Sequence, residues 1–109
     1  MMDKIKIDFE ISGTEISIPF EAICSVTNKK FEGFTIIEYY PESEVLEYVS
    51  VEKCIYEISK QKILAEELAD KVFNEVKNTI KPRYLRVLVD VRKSEAHQPV
   101  KVWIESKKN

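Results

Sequence analysis

The chain has 109 residues, of which 44% are hydrophobic and 33% charged, and its net charge is −2. This length and composition indicate one globular domain over residues 1–109, and the charge balance gives no sign of nucleic-acid binding over the whole surface. No apolar run approaches the roughly 20 residues of a membrane-spanning helix, and the N-terminus lacks a signal-peptide pattern, so we expect a cytoplasmic protein with no membrane partner.

The first part of the chain is predicted to form strands. Apolar residues alternate with charged or polar ones on both sides of a Ser-Gly-Thr turn, which predicts a hairpin over residues 4–20. Pro19 indicates that the second strand of this hairpin lies at a sheet edge or bulges at this residue. A polar turn at Asn28–Gly33 then leads into a nearly continuous apolar strand, Phe34–Tyr40.

Two helices are predicted next. Ser50 is a suitable N-cap for a short helix, whose apolar residues have i, i+3, i+4, i+7 spacing: Val51, Cys54, Ile55 and Ile58. A longer amphipathic helix is predicted over Leu64–Ile80, and strands follow at Tyr84–Val91 and Val100–Ile104. This order predicts an α+β fold, an antiparallel four-stranded sheet with two helices packed on one face.

Aromatic residues exceed what so small a core can hold. They are Phe31, Tyr39, Tyr40, Tyr48 and Trp103. Since two helices cover only one face of the sheet, the other face and the edges need another partner. We therefore expect the protein to oligomerise through the sheet.

The chain has two cysteines, Cys24 and Cys54, too few for a disulfide framework, so both are expected as free thiols. Cys54 falls on a helix stripe and is predicted to lie in the core. Cys24 stands at the mouth of a polar loop, where it is either a buried structural cysteine or a reactive thiol. The chain has one histidine, His97, which makes a histidine-based zinc site or catalytic triad improbable from composition.

Four segments resemble motifs of the QueF family of 7-cyano-7-deazaguanine nitrile reductases and their archaeal relatives, within the tunnelling fold (T-fold). Ile23–Thr27 resembles the family's Cys-Pro-x-Thr segment, and Ile36–Pro41 its Tyr-x-Pro strand end. Leu46–Ser50 resembles its Glu-Ser-Lys-Ser motif, and Lys81–Val87 its Pro-Arg-Trp/Tyr-Leu strand start. The resemblance implies a T-fold that assembles into a cyclic homo-oligomer, with a pentameric ring as the favoured form and with pockets between subunits.

The resemblance also implies roles for single residues. Cys24 corresponds to the nucleophile that attacks the nitrile carbon and forms a covalent thioimide. Glu66 corresponds to a glutamate that binds the deazaguanine ring, since a carboxylate accepts two parallel hydrogen bonds from a guanine-like edge. An exposed first-turn helix acid is the alternative interpretation of Glu66. Leu46, Glu47 and Tyr48 of the third motif are expected to bind substrate.

The chain departs from the family at several of these positions. The family's proton-donating aspartate, seven residues after the cysteine, corresponds to Phe31, so the neighbouring Glu32 becomes the candidate acid. The histidine beside the ring-binding glutamate corresponds to Ala65. The lysines that grip the NADPH phosphates correspond to Val49 and Glu52, and a glutamate repels phosphate. We therefore expect no cofactor and no use of NADPH.

These features favour an archaeal QueF-like amidinotransferase. In such an enzyme ammonia, not hydride, attacks the thioimide and converts the 7-cyano-7-deazaguanine base in tRNA to archaeosine. The basic residues within 77–93 would serve the tRNA. Two alternatives remain open. One is an NADPH-dependent reductase of free 7-cyano-7-deazaguanine in queuosine synthesis, and the other is a T-fold protein that binds a purine-like ligand, or only assembles, without chemistry.

Overall fold

The structure is a computed structural model that describes residues 1–106. Within this range the chain forms two helices and six strands. In chain order they are β1 (Lys4–Lys6), β2 (Thr14–Ile23), β3 (Lys30–Tyr40), β4 (Glu44–Leu46), α1 (Tyr48–Ser59), α2 (Ala65–Ile80), β5 (Tyr84–Ser94) and β6 (Val100–Glu105). Neither helix of the described chain has both the length and the apolar character that crossing a membrane requires.

Four strands form one antiparallel sheet in the order β2-β3-β5-β6, and both helices pack on one of its faces. The predicted α+β class and arrangement are therefore confirmed, and β2, which carries Pro19, is an edge strand as expected. Inward-facing side chains of the central strands meet those of the helices in a single core. Fully buried members are Ile37, Val87 and Val89 from the sheet and Val51, Leu68 and Val72 from the helices. Burial of each such side chain stabilises the folded state by about 1.5–3 kcal/mol relative to leaving it exposed.

The predicted hairpin over residues 4–20 is wrong. β1 pairs with β4 in a separate two-stranded sheet, and β2 pairs with β3. Beyond β1 the alternating apolar residues leave the sheet, and Phe9 is 64% exposed. Alternation indicates a strand but does not identify its partner, because any strand with the same period can pair with it.

Helix α1 begins at Tyr48, earlier than the sequence predicts. Its N-cap is Glu47, whose carboxylate accepts hydrogen bonds from the amides of Val49 (2.7 Å) and Ser50 (2.9 Å). Ser50 lies inside the helix, where its hydroxyl donates to the Glu47 carbonyl over 2.7 Å. The second helix matches its prediction except that Leu64 is its N-cap.

Strand β3 also begins earlier than predicted, because a bulge between Glu32 and Gly33 lets it continue through the expected turn. A Cβ atom at Gly33 would lie 1.9 Å from the carbonyl oxygen of Asp90, so only glycine fits this close approach of β3 to β5. The extension carries β3 to Lys30 and leaves a short loop between β2 and β3.

The sheet face opposite the helices is partly apolar. Phe34, Ile36 and Leu88 alternate with inward-facing core residues and are half-buried there, and Trp103 of β6 is 53% exposed. The Arg86 guanidinium lies 5.4 Å from the centre of the Trp103 rings. No helix of the described chain covers this face.

Candidate active site

Cys24 opens the loop that joins β2 to β3. The Cys24 amide donates to the carbonyl of Lys29 (2.9 Å), and the Asn28 amide donates to the carbonyl of Cys24 (2.9 Å). Asn28 has φ 58°, in the left-handed region that asparagine tolerates better than most side chains. These contacts hold Cys24 at the end of the sheet with its thiol half-buried.

The same loop lowers the pKa of the Cys24 thiol. The largest cause is a hydrogen bond from the Thr27 hydroxyl, followed by the backbone amides of Thr27 and Val26. The Thr27 oxygen also accepts from the Lys29 amide (3.2 Å), so its own hydrogen is available to Cys24. Burial and the charge of Glu66 raise the pKa, but by less. A lower pKa increases the thiolate fraction at neutral pH, and the thiolate is the nucleophile.

Three segments distant in sequence meet in front of this thiol. The Ile63 amide donates to the carbonyl of Ile23 (2.9 Å), which holds the start of α2 against the end of β2. The Glu95 amide donates to the carbonyl of Lys30 (3.0 Å), which holds the β5–β6 loop against the start of β3. The cavity enclosed by these segments has a volume of 190 Å³.

The cavity wall contains two of the residues predicted for the site, Cys24 and Glu66. Glu66 lies in the first turn of α2. Phe31 and Ala65, the positions at which the chain departs from the family pattern, line the same cavity. An apolar ring therefore stands in the wall where the family's pattern has a carboxyl group.

Glu32 does not line this cavity. Successive residues of a strand point to opposite faces, and Glu32 lines a different cavity, of 690 Å³, together with Glu21 and Glu52. The structure of one chain therefore does not bring the candidate acid to the thiol.

The three residues of the third motif also lie away from Cys24. Leu46 is 1% exposed, so its side chain belongs to the core and offers no surface to a ligand. Glu47 caps α1, and hydrogen bonds from the amides of Val49 and Ser50 lower its pKa. Tyr48 is 59% exposed. None of the three contributes to the Cys24 cavity of the same chain.

His97 is a site residue that the sequence did not reveal. It lies in the β5–β6 loop, lines the Cys24 cavity and is exposed. Its ring Nδ1 is 2.6 Å from the carbonyl oxygen of Gln98. His97 reaches the cavity only because β3 pairs with β5, and no local sequence pattern indicates this pairing. The sequence marks His97 only as the single histidine of the chain.

No protein-family model matches the sequence, and no curated protein matches it significantly. The structure is similar to the crystal structure of the archaeosine synthase QueF-Like in the apo form, with a TM-score of 0.81 and 26% sequence identity. The match covers 90% of this chain and 96% of that chain. The similarity thus extends over nearly the whole of both chains.

Proposed function

We propose that this chain, whose structure supports membership of the QueF-like family of the T-fold, is an amidinotransferase of 7-deazaguanine tRNA modification. Its substrates are the 7-cyano-7-deazaguanine base in tRNA and ammonia, and its product is archaeosine. It acts in the cytoplasm, where thiols stay reduced. The observation that supports this most strongly is that Cys24 and Glu66 line one cavity, in a fold similar to that of an archaeosine synthase. The hydrogen bonds of its loop, which lower the Cys24 pKa, are in keeping with a nucleophilic role.

The chemistry needs one nucleophile and one carboxylate. The Cys24 thiolate attacks the nitrile carbon, a C–S bond forms, one carbon–nitrogen π bond breaks, and the nitrogen takes a proton to give a thioimide. Ammonia then adds to the same carbon, the C–S bond breaks, and the departing sulfur takes a proton. Glu66 accepts hydrogen bonds from the ring N–H and the exocyclic amine, which holds the nitrile in front of the thiolate.

Two positions of α1 disfavour a nicotinamide dinucleotide phosphate. Val49 and Glu52 are both exposed on this helix, and neither offers a cation to a phosphate group. The Glu52 carboxylate repels phosphate. Its cavity wall carries two further glutamates, Glu21 and Glu32, against one lysine, Lys53, so its balance is acidic. No reduction is therefore part of the proposal. Oxidation of NADPH in the presence of the nitrile would instead support the reductase alternative.

Basic residues after the middle of α2 are the proposed tRNA contacts. Lys77, Lys81 and Arg83 are exposed, and Arg83 lies 4.0 Å from Glu42, which offsets part of its charge. Contacts of this kind are made to phosphates, so the affinity for tRNA should fall steeply as salt rises.

Intact-mass spectrometry tests the first chemical step. Mixing the protein with 7-cyano-7-deazaguanine should add the mass of one base, and Cys24→Ala should abolish this adduct. Cys54→Ala is the matched control, because Cys54 is buried and burial raises its pKa, so it should keep the adduct. Ammonia should then release the base as its formamidine. If the wild-type protein forms no adduct, the interpretation as a binding protein without chemistry replaces this proposal.

A further inference from the structure

We infer that His97 is the group that gives the nitrile nitrogen its proton as Cys24 attacks. This inference rests on the proposed function and assigns a role to a residue of the same cavity. Without a proton donor the attack would leave a strongly basic nitrogen anion, so an acid positioned beside the nitrile lowers the barrier to the thioimide.

The cavity wall offers few candidates for this acid. Among residues 1–106 its titratable side chains are Cys24, Glu66 and His97. Cys24 supplies the sulfur. Glu66 must stay ionised to accept the hydrogen bonds of the ring, so it cannot also be the donor. The position that faces the thiol from β3 holds Phe31, which has no proton to give.

The geometry of the His97 ring suits a donor. A carbonyl oxygen only accepts hydrogen bonds, so the 2.6 Å contact with the Gln98 oxygen requires the proton to be on Nδ1. This contact also restrains the ring. Nε2 is the other ring nitrogen, and it carries a proton when both nitrogens are protonated. Because the side chain is exposed, solvent can return the proton after each reaction.

The step balances without any further reactant. The Cys24 sulfur forms its bond to the nitrile carbon while one π bond to nitrogen breaks, and the Nε2 proton moves to that nitrogen. The products are the thioimide and a neutral imidazole. Histidine is chemically suited to this exchange, because a ring nitrogen can donate a proton and then regain one from solvent.

The rival donor is Glu32. It lies next to Phe31 in sequence but lines the other cavity. To reach the nitrile it would need the β2–β3 loop to shift by one residue, against the paired hydrogen bonds between Cys24, Asn28 and Lys29. The two assignments therefore predict different variants to be slow.

The test follows the rate of adduct formation with 7-cyano-7-deazaguanine in wild type, His97→Gln and Glu32→Gln. His97→Gln should slow the reaction by roughly 10²–10⁴-fold, the usual range for losing a general acid. Added imidazole should restore part of the rate of His97→Ala, which a purely structural role would not allow. Lys101→Gln is the control for loss of a positive charge near this hairpin, since Lys101 is exposed on β6 and lies outside the cavity, and it should react like wild type.

Rescue by imidazole gives the second readout, and its absence in His97→Ala would count against proton donation. A His97→Gln protein that reacts at the wild-type rate would overturn the inference and leave the proposed function intact. A slow Glu32→Gln beside a normal His97→Gln would assign the donor to Glu32. If the wild type forms no adduct, the proposed function fails and this inference fails with it.

Discussion

The amide of Ile63 donates a 2.9 Å hydrogen bond to the carbonyl of Ile23, and this bond joins the segment before α2 to the end of β2. Ile63 is 1% exposed, so its side chain packs in the core, whereas its partner Ile23 is 37% exposed. Through this contact the first turn of α2, with Glu66, comes to lie in the wall of the Cys24 cavity. The position of the Glu66 carboxylate thus depends on how the segment before α2 is held.

Truncation of Ile63 should therefore weaken both the fold and the site. Ile63→Ala removes a fully buried side chain and should lower the free energy of unfolding by about 2–5 kcal/mol. Urea denaturation measures this loss. Ile5→Ala is the control, because Ile5 is 50% exposed, and it should change the stability little. Equal losses in the two variants would contradict the packing described for Ile63.

Thr27→Val should make Cys24 a poorer nucleophile at neutral pH. The change removes the hydroxyl whose hydrogen bond is the largest cause of the lowered thiol pKa, so the pKa should rise. The pH dependence of alkylation by iodoacetamide, read at the Cys24 peptide by mass spectrometry, should shift to higher pH. Thr79→Val is the matched control, since the Thr79 hydroxyl donates to the Glu75 carbonyl in α2. An unshifted profile in Thr27→Val would show that the backbone amides alone hold the thiolate.

Gly33→Ala should destabilise the sheet. Its Cβ would lie 1.9 Å from the Asp90 carbonyl oxygen and 2.9 Å from the Arg92 amide nitrogen, both backbone atoms that cannot rotate away. Forcing β3 and β5 apart should lower the free energy of unfolding by at least about 1–3 kcal/mol, which a denaturation experiment measures. Gly13→Ala is the control, because its Cβ would come no closer than 3.3 Å to the Tyr40 side chain and 3.6 Å to the Tyr39 carbonyl oxygen. If both variants are equally stable, the bulge is not as tight as described.

Glu47→Ala should lower stability at neutral pH and have less effect in acid. In the folded protein the amides of Val49 and Ser50 lower the Glu47 pKa, whereas the unfolded chain has an ordinary glutamate pKa of about 4.3. A carboxyl group with a lowered folded-state pKa stabilises the protein above its unfolded pKa, and this contribution disappears as pH falls through the folded value.

Urea denaturation at neutral and acidic pH tests this sign. The difference between wild type and Glu47→Ala should shrink as the pH falls below about 4. Glu57→Ala removes an exposed carboxylate that pairs only with Lys60 on the helix surface, and it should have a small effect throughout. A difference for Glu47→Ala that persists unchanged in acid would mean that its cap does not depend on the ionised carboxylate.

The uncovered sheet face is expected to hold copies of the chain together. We predict a cyclic homo-oligomer, with a ring of five as the form that the family resemblance favours. Trp103→Glu places a charge on the apolar face and should shift the protein toward monomer in light scattering. Tyr56→Glu introduces the same charge at a 61% exposed aromatic of α1 and should leave the assembly intact. A wild-type monomer at micromolar concentration would contradict the prediction.

The sequence predicted the layers of this fold better than its strand partners. The stripe of α2 and the apolar strand ending at Tyr40 were found, because each is a local periodicity that matches its burial. The pairing of β1 with β4 was missed, because both strands have only three residues and lie far apart in the chain. The predicted start of α1 is wrong because serine is a more common N-cap than glutamate. The sequence therefore favours Ser50 over Glu47, which caps the helix in the structure.

The part of the candidate site that lies within one local segment could also be predicted. Cys24 and its Thr27 partner lie in one loop, so a motif could identify both. Glu66 was found only through the resemblance, and His97 was missed because β3 must pair with β5 before its loop reaches the thiol. Phe31 and Glu32 show most clearly what a sequence motif cannot predict. They are adjacent on one strand, so their side chains point to opposite faces and line different cavities.

The lowered pKa of Cys24 also makes it the residue that oxidants should attack first. Peroxide reacts with an accessible thiolate to give a sulfenic acid, whereas a buried thiol with a raised pKa, as at Cys54, reacts slowly. The hydrogen bonds that lower the Cys24 pKa come from Val26 and Thr27 of its own loop, so they need no bound ligand. The thiol is therefore open to oxidation whenever the cavity is empty. A ligand bound in the cavity would block the access of oxidants to Cys24.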